Sequence, residues 1–236
     1  MERIAYIRAQ EKRYHDACYS RHKLFEPGSW LHKPVRTVME LLAEFEGYDE
    51  LRVLDLGCGI GRNSIPIAQS LLDRRGSVVC VDLLESAMAS LAVYSRQYGV
   101  ESYIRPIHAS IEDYRVEPEN FDYIVAVSAL EHVCSQKALR DKLAEITRGT
   151  KPGGINCLII GTGSTETAAD TGEMLDPLFE VNLPTAEMLR LLDEQYAGWE
   201  FLLRTVKPLV FEIDRQGRPV KLASDCVTFA ARKPAV

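Results

Sequence analysis

Residues 53–61 read Val-Leu-Asp-Leu-Gly-Cys-Gly-Ile-Gly, and they limit the folds open to this chain more than any other stretch. The apolar run Leu51, Val53, Leu54 and Leu56 has the pattern of a short, buried strand. Three alternating glycines, Gly57, Gly59 and Gly61, end it, and a helix-like stretch from Ser64 to Leu72 follows. Strand, glycine turn and helix in that order let a backbone lie directly against a ligand. Residues without a Cβ accept positive φ and close approach, and the helix start adds free N–H groups. Asp55, near the carboxyl end of the strand, brings a carboxylate to the same place.

The alternation continues. Val78-Val79-Cys80-Val81 reads as a second strand ending at Asp82, about twenty residues beyond the glycines, where an acid can accept both hydroxyls of a ribose. Asp82 also fits as the N-cap of the helix expected over Glu85–Tyr98. Tyr103 to Ile107 and Phe121 to Val127 read as the third and fourth strands, and Ile155 to Ile160 as the fifth. Strands alternating with helices argue for an α/β fold with a parallel sheet covered on both faces. Gly161 to Pro184 reads as one long polar connection carrying Glu166, Asp170, Glu173, Asp176 and Glu180, placed on the substrate side or merely solvated. Ala186–Tyr196 reads as a helix, Trp199–Val210 as strand-like, Gln216-Gly217 as a turn and Cys226–Ala231 as the last strand. Ahead of all this, residues 1–20 read as a helix with an imperfect stripe of Ile4, Ile7, Tyr14, Ala17 and Cys18. Pro34 suits the first turn of a second helix, which Gly47 ends.

Asp55 to Gly61 spells D-x-G-x-G-x-G. A dinucleotide fingerprint would place a third small residue at position 62, where Arg62 stands. The pattern resembles motif I of the class I S-adenosylmethionine-dependent methyltransferases. Asp82 is similar to the acidic motif II of that family. Ser110-Ile111-Glu112-Asp113 stands where many members carry Asp-Ala-Glu-Asp beside the adenine, with Ser110 in place of the acid. Ser128-Ala129-Leu130-Glu131-His132-Val133 is similar to the segment after the fourth strand of small-molecule methyltransferases, and Lys151-Pro152-Gly153-Gly154 is a common family turn. Gly61-Arg62-Asn63-Ser64 resembles the tellurite-resistance type. The resemblance implies a Rossmann-like, doubly wound, seven-stranded, mostly parallel sheet with an antiparallel C-terminal hairpin. It implies S-adenosylmethionine as cofactor and S-adenosylhomocysteine as its product. The positions implied to bind it are Asp55, Gly57, Cys58, Gly59, Asn63, Asp82, Leu83, Ser110, Ile111 and Ser128, with Asn63 and Arg62 toward the methionine carboxylate. It divides the chain into an N-terminal helical cap, 1–50, and a cofactor-binding core, 51–236.

Methyl transfer from an activated sulfonium needs a nucleophile held in line in a dry site, and a base only where the acceptor must lose a proton. The candidates for handling the acceptor are His132 after the fourth strand and Tyr14 in the leading block. Glu131, His15, Tyr19, Trp30 and His32 lie beside them in sequence. Each has a packing alternative, since aromatic residues on amphipathic helices are commonly core. No Asn-Pro-Pro-Tyr follows the fourth strand, which disfavours methylation of a DNA base amine. The expected function is methyl transfer to an O or N of a small molecule. The alternative is a non-catalytic protein that binds S-adenosylmethionine or S-adenosylhomocysteine as a sensor or structural module.

Net charge of −6 and a pI near 5.5 argue against a broad nucleic-acid footprint. The basic residues from Arg3 to Lys23 alternate with Glu2, Glu11 and Asp16, as on a solvated helix face. No apolar run approaches the ~20 residues of a membrane span, and the first residues lack a signal-peptide core. The six cysteines form no C-x-x-C pair and no readable metal site, although Cys18, Cys58 and Cys134 could lie near the pocket. The expectation is a cytoplasmic protein, monomer or homodimer, whose partner is a small-molecule methyl acceptor rather than nucleic acid or membrane.

Overall fold

The apolar run before the glycines forms the central strand β1, Glu50–Leu56, in a computed structural model that describes residues 2–215 and 217–235. β1 pairs in parallel with β2 (Arg75–Asp82) on one side and β4 (Phe121–Val127) on the other. β3 (Ile104–His108) lies outside β2, and β5 (Thr150–Ala168) outside β4, also in parallel. β8 (Arg218–Arg232) then pairs antiparallel with β5, and β7 (Glu200–Arg215) antiparallel with β8, giving the order β3-β2-β1-β4-β5-β8-β7. These are the seven strands of the expected doubly wound sheet with its antiparallel hairpin. An eighth, the two-residue β6 (Met174–Leu175), pairs with the far end of β5 off this path.

Successive side chains of a strand point to opposite faces, so each strand feeds two cores. Leu51 and Val53 of β1 pack with α2 (Arg36–Leu42), α3 (Ser64–Gln69) and α4 (Glu85–Gln97) through Val38, Ile65 and Leu91. Leu54 and Leu56 pack with α5 (Gln136–Gly149) and α6 (Thr185–Gln195) through Leu143, Ile146 and Leu191. Burying one such side chain contributes about 1.5–3 kcal/mol. α1 (Glu2–Arg21) is different. Of its expected stripe only Ile7 is fully buried, together with Gln10, while Cys18 packs partly against the core beside Tyr19, so polar contacts add to a thin apolar face in holding it.

Three boundaries move. α2 starts at Arg36, with Val35 as N-cap, so Pro34 precedes its first turn. α3 stops at Gln69 and the chain goes on as tight turns to Arg74. The largest change is that Gly161–Pro184 is not one loop, because β5 continues to Ala168 with β8 paired alongside. Thr162, Ser164, Glu166 and Ala168 are buried while Gly163 and Thr165 are exposed. The period of two is intact, but its inward residues are mostly polar and carry no hydrophobic signal. Gln216 of the expected turn lies outside the described residues, and Gly217 has φ +84°. Among the described residues no helix is long and apolar enough to cross a membrane.

Candidate active site at the carboxyl edge of the sheet

The glycine loop is stitched to the end of β2. Gly57 and Cys58 donate their N–H groups to the Val81 carbonyl. Gly59 donates to Asp82 Oδ2 at 2.8 Å, and Leu84 donates to Asp82 Oδ1 at 2.9 Å. The N-cap of α4 is Leu84, so Asp82 is not the helix cap that its position in sequence allowed. Gly57 and Gly59 have φ of +73° and +54°, which L side chains rarely adopt. A Cβ on Gly57 would lie 2.4 Å from that of Ala129. A Cβ on Gly59 would meet only the Tyr19 hydroxyl, at 3.1 Å. Gly57 is therefore demanded by packing, whereas Gly59 opens a backbone cradle that faces Tyr19. Such a cradle beside a carboxylate fits an adenosyl ligand.

The other expected cofactor positions are distributed around this loop. Asp55 is buried and accepts from Ser64 Oγ at 2.5 Å. Burial raises its pKa to about 7, with Ser64 opposing the shift and Asp82 adding to it. Cys58 is buried, and burial together with the neighbouring Cys80 thiol pushes its own thiol well up. Asn63 accepts from the Val35 N–H at 2.9 Å, while Arg62 donates to the Lys33 carbonyl at 2.7 Å and lies 5.5 Å over the Trp30 ring. Both side chains thus pin the 30–35 segment against the glycine loop. Leu83 is exposed, and its carbonyl contacts His108 Nε2 at 2.9 Å. Ser110 and Ile111 are buried, with Ser110 Oγ accepting from Glu112 N–H. Ser128, at φ +49°, donates its N–H to the Ile159 carbonyl where β4 ends.

α1 lies across this edge, held at several points along its length. Arg3 pairs with Asp176 at 3.0 Å, and Asp16 accepts from Ser86 Oγ at 2.5 Å. Arg8 donates to Glu112 at 2.7 Å and stands 3.5 Å from Glu180. Arg215, at the end of β7, reaches Glu11 at 3.4 Å and the buried Glu166 at 2.7 Å. These pairs bring His15 and Tyr19 together with Trp30, with ring centroids 5.6 Å apart for His15–Tyr19 and 6.1 Å for His15–Trp30. Tyr14 packs edge-on to His15 at 5.4 Å and is itself exposed. Burial lowers the His15 pKa, against the opposing charge of Glu11.

Opposite α1 stands the turn after β4. His132 Nδ1 lies 3.0 Å from Glu180 Oε2, and its ring stacks on Phe179 at 5.8 Å. Burial alone would lower its pKa, but the Glu180 hydrogen bond and the charges of Glu131, Glu11 and Glu180 outweigh it, raising the value to about 9. Glu131 is buried, and its Oε1 accepts from the Gly161 N–H at 3.0 Å. Burial pushes its carboxyl up, with His132 opposing. Among the described residues no group of three or more His, Cys, Asp and Glu side chains could hold a metal ion. Glu11, Glu166, Phe179, Glu180 and Arg215 belong to this edge and were not singled out as site residues from the sequence. Glu166 and Glu180 show in sequence only as charges in a segment read as loop, and Glu11 as a charge on a helix face, because what selects them is pairing with residues 48 to 204 positions away.

The sheet is Rossmann-like, and residues 53–154 match the family described as "Methyltransferase domain". The chain is 26% identical over 207 residues to Hemagglutinin 1 of Eikenella corrodens, covering 86% of this chain and 59% of that one. It is 33% identical over 114 residues to a ubiquinone biosynthesis O-methyltransferase of Roseobacter denitrificans, covering 48% and 42%. The chain thus spans roughly two-fifths to three-fifths of the length of these relatives. Among solved structures, TehB of Haemophilus influenzae superposes with a TM-score of 0.60 at 25% identity, over 84% of this chain and 61% of that one. A Burkholderia thailandensis N1-methyltransferase solved with its acceptor and S-adenosylhomocysteine shares the fold at a TM-score of 0.57 and 18% identity, over 97% and 87%.

Proposed function

We propose that this protein transfers a methyl group from S-adenosylmethionine, by in-line displacement, to a nitrogen or oxygen of a small molecule. The observation that carries the reading is the Gly59 cradle, roofed by the Tyr19 hydroxyl and bonded through its N–H to Asp82. Asp82 spends one lone pair of each oxygen on Gly59 and Leu84, and keeps others for a pair of ribose hydroxyls. Ser110 and Ile111 flank the adenine. Asp55, Gly57, Cys58, Asn63, Leu83 and Ser128 complete the surroundings of the cofactor, with residues 1–50 as a cap over the core 51–236. The cofactor supplies a methyl group already activated on a cationic sulfonium.

The remaining work falls to the chain. Holding an acceptor at attack distance converts a bimolecular encounter into an intramolecular step, and excluding water keeps the charges effective. α1 provides the exclusion, with Tyr19 over the cradle and Tyr14 and Trp30 in the wall. His132, with a pKa of about 9, is an imidazolium at neutral pH. It acts as a fixed positive hydrogen-bond donor toward Glu180 rather than as the base its sequence position suggests.

The test is ligand binding. S-adenosylhomocysteine should raise Tm while NAD leaves it unchanged. A hundredfold excess over Kd stabilises by about 2.7 kcal/mol. Gly59→Val sets a branched side chain against the ligand and the Tyr19 hydroxyl, and should abolish the rise. A folded Gly59→Val protein that binds normally removes the cradle from the argument.

A further inference from the structure

We infer that this chain pairs with a second copy of itself through the exposed face of β7, on a two-fold axis that passes Pro208.

β7 is the last strand at its end of the sheet. Residues directly opposite in an antiparallel ladder project to the same face, so the β8 partners show which way each β7 side chain points. Arg204, Val206, Pro208, Val210 and Glu212 stand opposite Phe229, Val227, Asp225, Ala223 and Lys221. They therefore share the face on which Val227 and Phe229 join the core with Leu191 and Leu192 of α6. One strand further out the cover ends. Val227 is 0% exposed, whereas Val206 beside it is 40% exposed and Val210 59%. Arg204, Pro208 and Glu212 are exposed as well. At ~3.3 Å per residue this is a stripe about 26 Å long, apolar in the middle and charged at both ends. A contiguous apolar strip rimmed by charge marks an interaction surface.

The order of the residues selects a second copy as the partner. Arg204-x-Val206-x-Pro208-x-Val210-x-Glu212 reads alike from both ends, except that the end charges are opposite. Laid face to face and antiparallel about an axis at Pro208, two such stripes set Val206 on the partner's Val210 and Arg204 on the partner's Glu212, each contact made twice. An isologous interface requires this self-complementarity. Sliding by two residues either way sets a charge on a valine, Arg204 on Val210 or Glu212 on Val206, so the register is specified. The flanking charges agree. Arg204 holds Asp193 of α6 at 2.9 Å and Lys221 stands beside Glu212, so each joined end alternates in sign from Asp193 to Lys221.

Packing by the face, rather than addition of a strand, follows from Pro208. It has no N–H for a ladder, and proline is accepted within a strand only where its nitrogen turns to the free edge. Its ring therefore bars another strand from joining β7 there. Arg215 sits on the opposite face of β7, where it reaches Glu11 and Glu166, so the pairing leaves the cofactor edge uncovered.

Sedimentation velocity of the full chain over a micromolar concentration series should show a mass rising toward twice the 26.5 kDa of one chain. Arg204→Glu and Glu212→Arg each set like charges in both end contacts, and each should weaken dimerisation about tenfold or more. An equimolar mixture of these two variants restores opposite charges at both ends between unlike chains, and should recover the wild-type Kd within about threefold. Val210→Lys should leave the chain monomeric, with circular dichroism unchanged in all three variants. A wild type that stays monomeric throughout, a dimer indifferent to these substitutions, or single variants whose mixture does not form the dimer again overturns the assignment.

Discussion

Asp82 carries two backbone hydrogen bonds and, on the proposed reading, two ribose hydroxyls, so replacing it should act on fold and ligand by different amounts. Hydrogen bonds to a charged group contribute about 1.5–3 kcal/mol each. Asp82→Asn retains an oxygen for Leu84 but turns an N–H donor toward Gly59, which should cost roughly 1–2 kcal/mol of unliganded stability in urea titration. Affinity for S-adenosylhomocysteine should fall further, by about tenfold to several hundredfold by calorimetry. Equal losses in both would mean that the carboxylate holds only the loop. His132 gives a pH signature. Its folded pKa of about 9 lies above the ordinary value of 6.5, so the native state binds the extra proton. Its contribution is therefore present in full below pH ~6.5 and lost as pH rises through about 9. Wild type should exceed His132→Gln by about 1–3 kcal/mol at pH 6, and the gap should close by pH ~10.

The element that most depends on tertiary context is α1. With only Ile7 and Gln10 fully buried and Cys18 and Tyr19 packed partly against the core, its docking leans on ion pairs, those of Arg8 among them. Glu180, whose side chain is 1% exposed, receives charge from Arg8 on one side and His132 on the other. Removing one partner of a buried pair is costly because the other stays desolvated, although Arg8 is itself partly solvated. Arg8→Ala should cost about 1–3 kcal/mol and raise hydrogen exchange across residues 2–21 selectively, with β1 and β4 unchanged. Addition of S-adenosylhomocysteine to wild type should slow exchange in the same segment. β5 shows the converse lesson. Its extension to Ala168 alternates properly, but with Thr162, Ser164 and Glu166 inward, so a hydrophobic reading ends the strand at Ile160.

At the scale of the whole molecule, the carboxyl edge of the sheet is bridged by contacts between distant parts of the chain. Arg215 near the end joins Glu11 near the start and Glu166 in the middle. Glu166→Gln leaves the Arg215 guanidinium facing a neutral amide in a buried site. It should lower unfolding free energy by about 2–4 kcal/mol, while Glu166→Leu with Arg215→Met should recover much of that loss. A double-mutant cycle in urea checks both, and strict additivity would mean that the pair is inert.

What the sequence determined by itself is the part whose signal is local: the buried runs of β1, β2 and β4, the glycines at positive φ, and Asp82 at the end of its strand. Strand periodicity and the Cβ-free turn are written in neighbouring residues, so the doubly wound sheet and the cofactor edge could be read directly. Only the tertiary structure decided that Asp82 ties the glycine loop rather than capping α4, that β5 runs on as a polar-faced strand, and that His132 meets the buried Glu180. Each of these depends on which charge or hydroxyl meets which across the fold, and burial sets the energy of such meetings; no spacing along the chain encodes it.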